Sequence, residues 1–252
     1  MNKIIIIILV FLSVKIFAQV NTEKYRTSEK LDGLAGYLEI SGTFKRGNTE
    51  KTEGNLDGRV DWKLNGSTTF FVFESNHEWV NTKRISNEGL LHIRNVTELY
   101  NDLKSEIFGQ INYDKKILID NRELLGAGLR YKILKFENSD VNLGTSYMFE
   151  HENYNLPENA THLSDVNVHR WSNYLSLYVK LNSTATLGGV IYYQPMFDDF
   201  SDHRILSENS LTVGITELIS ISVNFRIRHD SDPPDGIKKT DTKTNFGLAI
   251  KF

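Results

Sequence analysis

From residue 219 to residue 228 the chain reads "ISISVNFRIR": Ile219, Ile221, Val223, Phe225 and Ile227 alternate with Ser220, Ser222, Asn224, Arg226 and Arg228. Successive side chains of a β-strand point to opposite faces, whereas a helix repeats every 3.6 residues, so this run reads as a strand with one apolar and one polar face. The same period returns in "GRVDWKLN", where Val60, Trp62 and Leu64 oppose Arg59, Asp61 and Lys63. It returns again in "RWSNYLSLYVKL", where Trp171, Leu175, Leu177, Val179 and Leu181 oppose Ser172, Tyr174, Ser176 and Lys180. Polar breaks divide the chain into about twelve strands, near 34–46, 51–64, 67–80, 89–101, 104–117, 122–136, 140–151, 168–182, 184–197, 205–218, 219–230 and 239–252.

The connections alternate in length. "NGS" at 65, "NDLK" at 101, "ENSD" at 137, "NST" at 182 and the "LIS" corner at 218 are tight. "RGNTEK" at 46, "NTKRISNE" at 81, the stretch 152–168, "DDFSDH" at 198 and "DSDPPDGIK" at 230 are longer and polar, with the short "IDNR" at 119 the exception. An even number of strands, with tight turns on one rim and long loops on the other, predicts an all-β fold: a transmembrane antiparallel up-and-down β-barrel of about twelve strands. Three of the four prolines, Pro157, Pro233 and Pro234, fall in loop-like stretches, which leaves the ladders uninterrupted.

The opening "MNKIIIIILVFLSVKIFAQ" has a basic start, an apolar run over 4–14 and a polar end, the layout of a signal peptide cleaved after Ala18, with Gln19 the alternative. Residues 19–252 are then one barrel domain. The apolar run is shorter than the roughly twenty residues of a spanning helix, and no later stretch approaches that length. The chain has no cysteine, so neither disulfides nor thiolate metal sites support it. Losing Lys3 and Lys15 with the leader takes the formal charge from −3 to −5, and nothing suggests nucleic acid as a partner.

In a barrel the apolar face meets lipid and the polar face lines the lumen. Parity assigns Arg59, Asp61, Lys63, Arg130, Lys132, Lys180, Arg226, Arg228, Asp241 and Lys243 to the lumen. Both signs occur together, so these groups either cross-link and fill the interior or line a narrow passage. The last strand, "TKTNFGLAIKF", pairs with the first near "LAGYLEISGTFK" and turns Phe246, Leu248, Ile250 and Phe252 to outer-membrane lipid. That aromatic-ended face looks like the signal read by the barrel-assembly machinery. Tyr37, Trp62, Trp79, Tyr100, Tyr113, Tyr131, Trp171, Tyr192, Tyr193 and Phe252 fall toward strand ends, where aromatic girdles sit.

The residues bear on two chemistries. Hydrolysis needs a serine beside a histidine. The histidines are His77, His92, His151, His162, His169, His203 and His229, with Ser210 and His229 an imaginable adjacent-strand pair. Calcium binding needs six to eight oxygens at one point. The acidic loops carry Asp198, Asp199, Asp202 and His203 in one, and Asp230, Asp232 and Asp235 in the other, without calcium-loop spacing. Pro233, Pro234 and Gly236 make the second a stiff surface hairpin. No cofactor is expected.

The stretches "GNTEKTEGNLDGRVDW", "LLGAGLRYKI", "HRWSNYLSL" and above all "RHDSDPPDGIKKTDTKTNFGLAIKF" resemble the DUF481 family, whose members include proteins named as salt-induced outer membrane proteins. The resemblance runs over most of the mature chain and implies a Gram-negative outer-membrane barrel. The expected role is non-enzymatic: a narrow passive pore or a plugged structural envelope protein, linked through the family name to salt or osmotic response. The alternatives are a phospholipase-like hydrolase or a surface barrel that binds ions or envelope components.

Overall fold

Twelve strands, each hydrogen-bonded to its neighbours in sequence, close into one antiparallel up-and-down β-barrel in which the first strand meets the last. The structure is a computed structural model that describes residues 32–48, 50–136 and 139–251. The leader at 1–18 and the terminal Phe252 lie outside the described residues. The strands are β1 (Gly33–Lys45), β2 (Lys51–Leu64), β3 (Ser67–Val80), β4 (Lys83–Tyr100), β5 (Leu103–Asp114), β6 (Ile119–Phe136), β7 (Ser139–Tyr154), β8 (Asp165–Lys180), β9 (Ala185–Pro195), β10 (His203–Gly214), β11 (Ile219–Asp230) and β12 (Thr240–Lys251).

At 11 to 18 residues they exceed the roughly nine to eleven tilted residues that span hydrocarbon, so several project beyond it on the loop side. The outer wall is apolar along these strands: Leu91, Ile107, Leu125, Leu143, Ile221 and Leu248 are all exposed there. Pro195 is the last residue of β9, where its missing N–H interrupts nothing.

Local chemistry explains the tight turns. Asn65 and Gly66 have φ of 49° and 76°, and Asn101 has 49°, the left-handed values that two-residue hairpins require and that asparagine and glycine accept best. The same device corrects one expectation. The polar stretch at 81 is no long loop: Asn81 and Thr82 make the whole turn, with φ of 47° and 71°, and 83–88 continue as strand. Those residues are polar because Ser86 and Glu88 face the barrel interior, so polarity there marks a wet lumen and not a loop.

The connections after β7 and β10 shift for related reasons. Strands β7 and β8 run on to Tyr154 and back from Asp165, shortening the loop to 155–164, because Glu150 and Glu152 point inward to arginine partners. Strand β10 ends at Gly214, and the turn is 215–218, closed by Ile215 N donating to Ile219 O. At 115–118 a single helical turn starts from Asp114, whose side chain accepts from Lys116 N, and ends at Leu118, so "IDNR" belongs to β6.

Candidate functional site: a plugged lumen beneath a loop-side vestibule

The interior divides into two halves. On the turn side, inward residues of β2 to β5 stack on one another. The Arg59 guanidinium lies over the Phe70 ring at 4.0 Å, Phe70 stacks on His92 at 6.3 Å, and His92 stacks on Phe108 at 6.0 Å. Arg94 then lies over Phe108 at 4.5 Å. Each contact pairs a cation or polar ring with an aromatic face, an arrangement that strengthens as water is removed. Arg94 Nε donates to His92 Nε2 and His92 Nδ1 reaches Gln110 Oε1, so the imidazole bridges the two.

From the far wall Tyr174 Oη donates to Glu106 Oε2 at 2.7 Å, and the rings of Tyr174 and Tyr192 pack at 5.1 Å. Phe108, Leu124 and Met148 form an apolar cluster against this centre. Arg94 is 1% exposed, Glu106 2%, and His92, Met148 and Tyr192 0%, so these side chains are packed against one another and away from water. Room for Tyr174 comes from Gly144 on β7, where an added Cβ would collide with the Tyr174 ring.

Above this plug, charged residues form networks. Arg204 of β10 donates to Glu150 and Glu152 of β7 and, at 2.7 Å through Nε, to Asp230 of β11. Arg170 joins Glu150 at 3.2 Å and Asp202 at 3.0 Å, and Arg122 pairs with Glu152. Across the lumen the side chains leave a loop-side cavity of about 380 Å³, lined among others by Glu74, Glu88, Asn112, Arg226, Arg228 and Lys243. Its floor narrows around Asn55, Asn76, Glu208, Asn224 and Asn245.

The residues assigned to the lumen from sequence distribute over these regions. Arg59 and Asp61 are a buried pair, Nε to Oδ2 2.9 Å, within the plug. Arg130 points to Glu106 at 3.7 Å, and Lys132 to Asp140 at 3.8 Å. Arg226 bridges Glu74 and Glu208, Arg228 meets Asp114 at 3.3 Å, and Lys243 donates to Asn55 at 3.1 Å and Glu88 at 3.2 Å. Asp241 lies beside Lys116, 3.7 Å away, at the vestibule mouth. Lys180, at the turn-side end of β8, is exposed, and Lys63 is partly exposed at the turn-side end of β2.

Tyr37 and Tyr192 are not girdle residues: both are buried inside, because their parity along β1 and β9 turns them inward. Parity also identifies residues that composition alone passed over. His92, Arg94, Glu106, Glu150, Glu152, Arg170 and Arg204 each occupy the polar phase of an alternating strand.

The surface hairpin also resolves. Asp230 ends β11 and turns inward to Arg204, while Asp232 N donates to Asp230 Oδ1. Pro233 and Pro234 flank a turn in which Ile237 N donates to Pro234 O, with Gly236 at φ 81°. Asp235 clasps the neighbouring loop, accepting from Thr161 N at 2.6 Å, Thr161 Oγ1 at 2.8 Å and His162 N at 2.9 Å. These donors, the His162 amide foremost, hold its carboxyl below the usual aspartate range.

Ser210 is buried on the inner face, while His229 on the adjacent strand sits on the outer one, so the two do not meet. Among the described residues no group of three or more His, Asp or Glu side chains is arranged to hold a metal ion. On β12, Phe246, Leu248 and Ile250 face outward and are exposed.

Comparison with solved structures places the fold among outer-membrane porin-like barrels. The NanC porin is 12% identical, with a TM-score of 0.50 over 86% of this chain and 98% of that one. The translocator domain of the autotransporter NalP from Neisseria meningitidis is 10% identical, with a TM-score of 0.48 over 87% and 86% of the two chains. The KdgM porin in complex with disordered oligogalacturonate is 9% identical, with a TM-score of 0.44 over 87% and 98%. No curated protein matches the chain. The sequence model of the family described as "protein of unknown function, DUF481" matches residues 38–252, and the chain belongs to that family.

Proposed function

We propose that the protein is a non-enzymatic barrel of the Gram-negative outer membrane, closed to through-flow by its turn-side plug and open to the outside as a blind vestibule. Outer-membrane lipid is its solvent, and the outward face of β12, with Phe246, Leu248 and Ile250, is what the assembly machinery reads. The observation that carries this reading is the burial of Arg94, His92, Glu106 and Tyr192 across the lumen. A passive pore needs a continuous file of hydrated side chains, and these are dry. Their mixed charges neutralise one another, so no net field is left to draw one ion sign through.

The test is single-channel recording of the refolded mature chain in a planar bilayer, beside a heat-modifiability gel that reports folding. A folded, silent barrel is expected. Steady ion-selective steps from the unmodified chain would overturn the plugged reading and restore the narrow pore.

A further inference from the structure

Strand β1 pairs with β2 along its whole length, from Gly33↔Lys63 to Lys45↔Lys51. Among the described residues it pairs with β12 from Tyr37↔Lys251 to Ile40↔Leu248, although β12 continues beside β11 as far as His229↔Thr240. Among the described residues, no ladder pair joins 41–45 to 240–247. The ladder at this join is therefore made on the turn side and ends short of the loop side. Backbone left unpaired at membrane depth is tolerated where it lines a water-filled cavity, and this edge borders one: Thr242, Lys243, Thr244 and Asn245 of β12 and Lys51 and Glu53 of β2 all line the vestibule.

The outer surface beside the seam is shaped differently from the rest of the wall. Thr240, Thr242 and Thr244 face outward where their partners on β11 are His229, Ile227 and Phe225, so hydroxyls replace apolar bulk at that level. On the other side Gly42 and Gly54 pair directly and both face outward, and a Cβ at Gly54 would meet nothing within 4 Å. The missing side chains of this pair leave a low spot on the wall, and Phe44 of β1 and Phe246 of β12 are exposed, at 78% and 72%. Inside, the Lys243 side chain reaches from β12 to Asn55 of β2 and Glu88 of β4, spanning the gap as a polar latch.

We infer that the β1–β12 seam is a lateral portal that admits a zwitterionic phospholipid, its headgroup in the vestibule and an acyl chain in the Gly42–Gly54 groove. Charge complementarity selects this occupant. The vestibule is lined by seven carboxylate and six cationic side chains, so its charges nearly balance, which suits a headgroup carrying one phosphate and one ammonium better than a net anion or cation. Lys243 is the phosphate partner, and Glu53 and Glu88, beside it at 3.9 and 3.2 Å, face the ammonium. The inference rests on the membrane placement proposed above but not on the plug.

Two measurements on the full mature chain, reconstituted in phosphatidylethanolamine–phosphatidylglycerol vesicles, test it. The chain has no native cysteine, so engineered pairs report cleanly. A disulfide needs Cα atoms within about 7 Å. Thr43→Cys with Asn245→Cys extends the β1–β12 register across the unpaired part of the seam, whereas Leu38→Cys with Ile250→Cys lies in the zipped part. The zipped pair is expected to oxidise and the seam pair to stay reduced. Equal oxidation of both pairs would overturn the portal, and disulfide-linked dimers from Thr43→Cys alone would assign the edge to a second copy instead.

The second measurement is the motionally restricted fraction of spin-labelled phosphatidylethanolamine against labelled phosphatidylglycerol. Wild type is expected to restrict the former beyond the common boundary shell. Gly54→Trp, which fills the groove, and Lys243→Gln, which removes the phosphate partner, are each expected to lose that excess. An excess unchanged in both variants, or equal for the two lipids, would refute the assignment. Conductance failing the plugged reading leaves these results intact, so the two proposals fail separately.

Discussion

Arg94 and Glu106 meet at the centre of the barrel, Nη1 to Oε2 3.1 Å, with each side chain 1% exposed. Arg94 Nη2 and Glu106 Oε1 have no hydrogen-bond partner among the described residues. Removing one member of a buried pair strands the other charge and costs about 3–5 kcal/mol, while replacing both with apolar residues is often neutral. Glu106→Ala is therefore expected to lower stability by about that amount, and Arg94→Met with Glu106→Leu to recover most of it. Urea unfolding in vesicles, followed by tryptophan fluorescence, measures both; equal losses in the single and double variants would contradict this account.

Taking away plug volume tests conduction from the other direction. Arg94→Ala combined with Tyr174→Ala deletes the guanidinium above Phe108 and the phenol bonded to Glu106. In a barrel that still shifts on the heat-modifiability gel, this pair is expected to produce current steps that the parent lacks. A silent double variant would show that the closure lies elsewhere, in the Arg204 network nearer the loops.

Gly144 and Tyr174 should behave as one unit. Overpacking a filled interior costs about 1–3 kcal/mol, and the nearest atoms a Cβ at 144 would meet all belong to the Tyr174 ring. Gly144→Val is expected to destabilise by that order in the parent and by clearly less in a Tyr174→Ala background. Additive losses would mean that the two positions are independent.

The loop clasp has a defined pH dependence. Asp235 has a depressed carboxyl pKa, so its contribution is complete above the ordinary aspartate value of about 3.9 and disappears as pH falls through the lower folded value. Amide exchange across 155–164, corrected for intrinsic rates, should stay slow at neutral pH and speed up only in strong acid. Asp235→Asn should be fast throughout, and unchanged protection in that variant would remove Asp235 from the clasp.

Much of this architecture is legible in alternation. In β11 the order of Ile219, Val223 and Phe225 against Ser220 and Arg226 fixes strand, face and environment at once, because a barrel wall has one lipid side and one polar side. Loop boundaries are less legible. Glu88 and Glu152 are polar for the sake of the lumen, and in sequence this looks the same as polarity for the sake of solvent. The plug is harder still: Arg94, Glu106 and Tyr174 come together from β4, β5 and β8, and axial height across a lumen is set by shear, which no local pattern records. The open seam is invisible in the same way, since 41–45 and 240–247 each read as ordinary strand.

A hoop under tension yields at its weld. Lateral pressure from the bilayer would act around the whole circumference of such a ring, yet among the described residues the ladder pairs joining β1 and β12 run only over 37–40 and 248–251. A change in the vestibule, such as Lys243 releasing Glu88, is expected to work on that short join before the long ladders of β6, β7 and β8. The barrel is mechanically a clamp with a spine and a mouth, and its compliance has a direction.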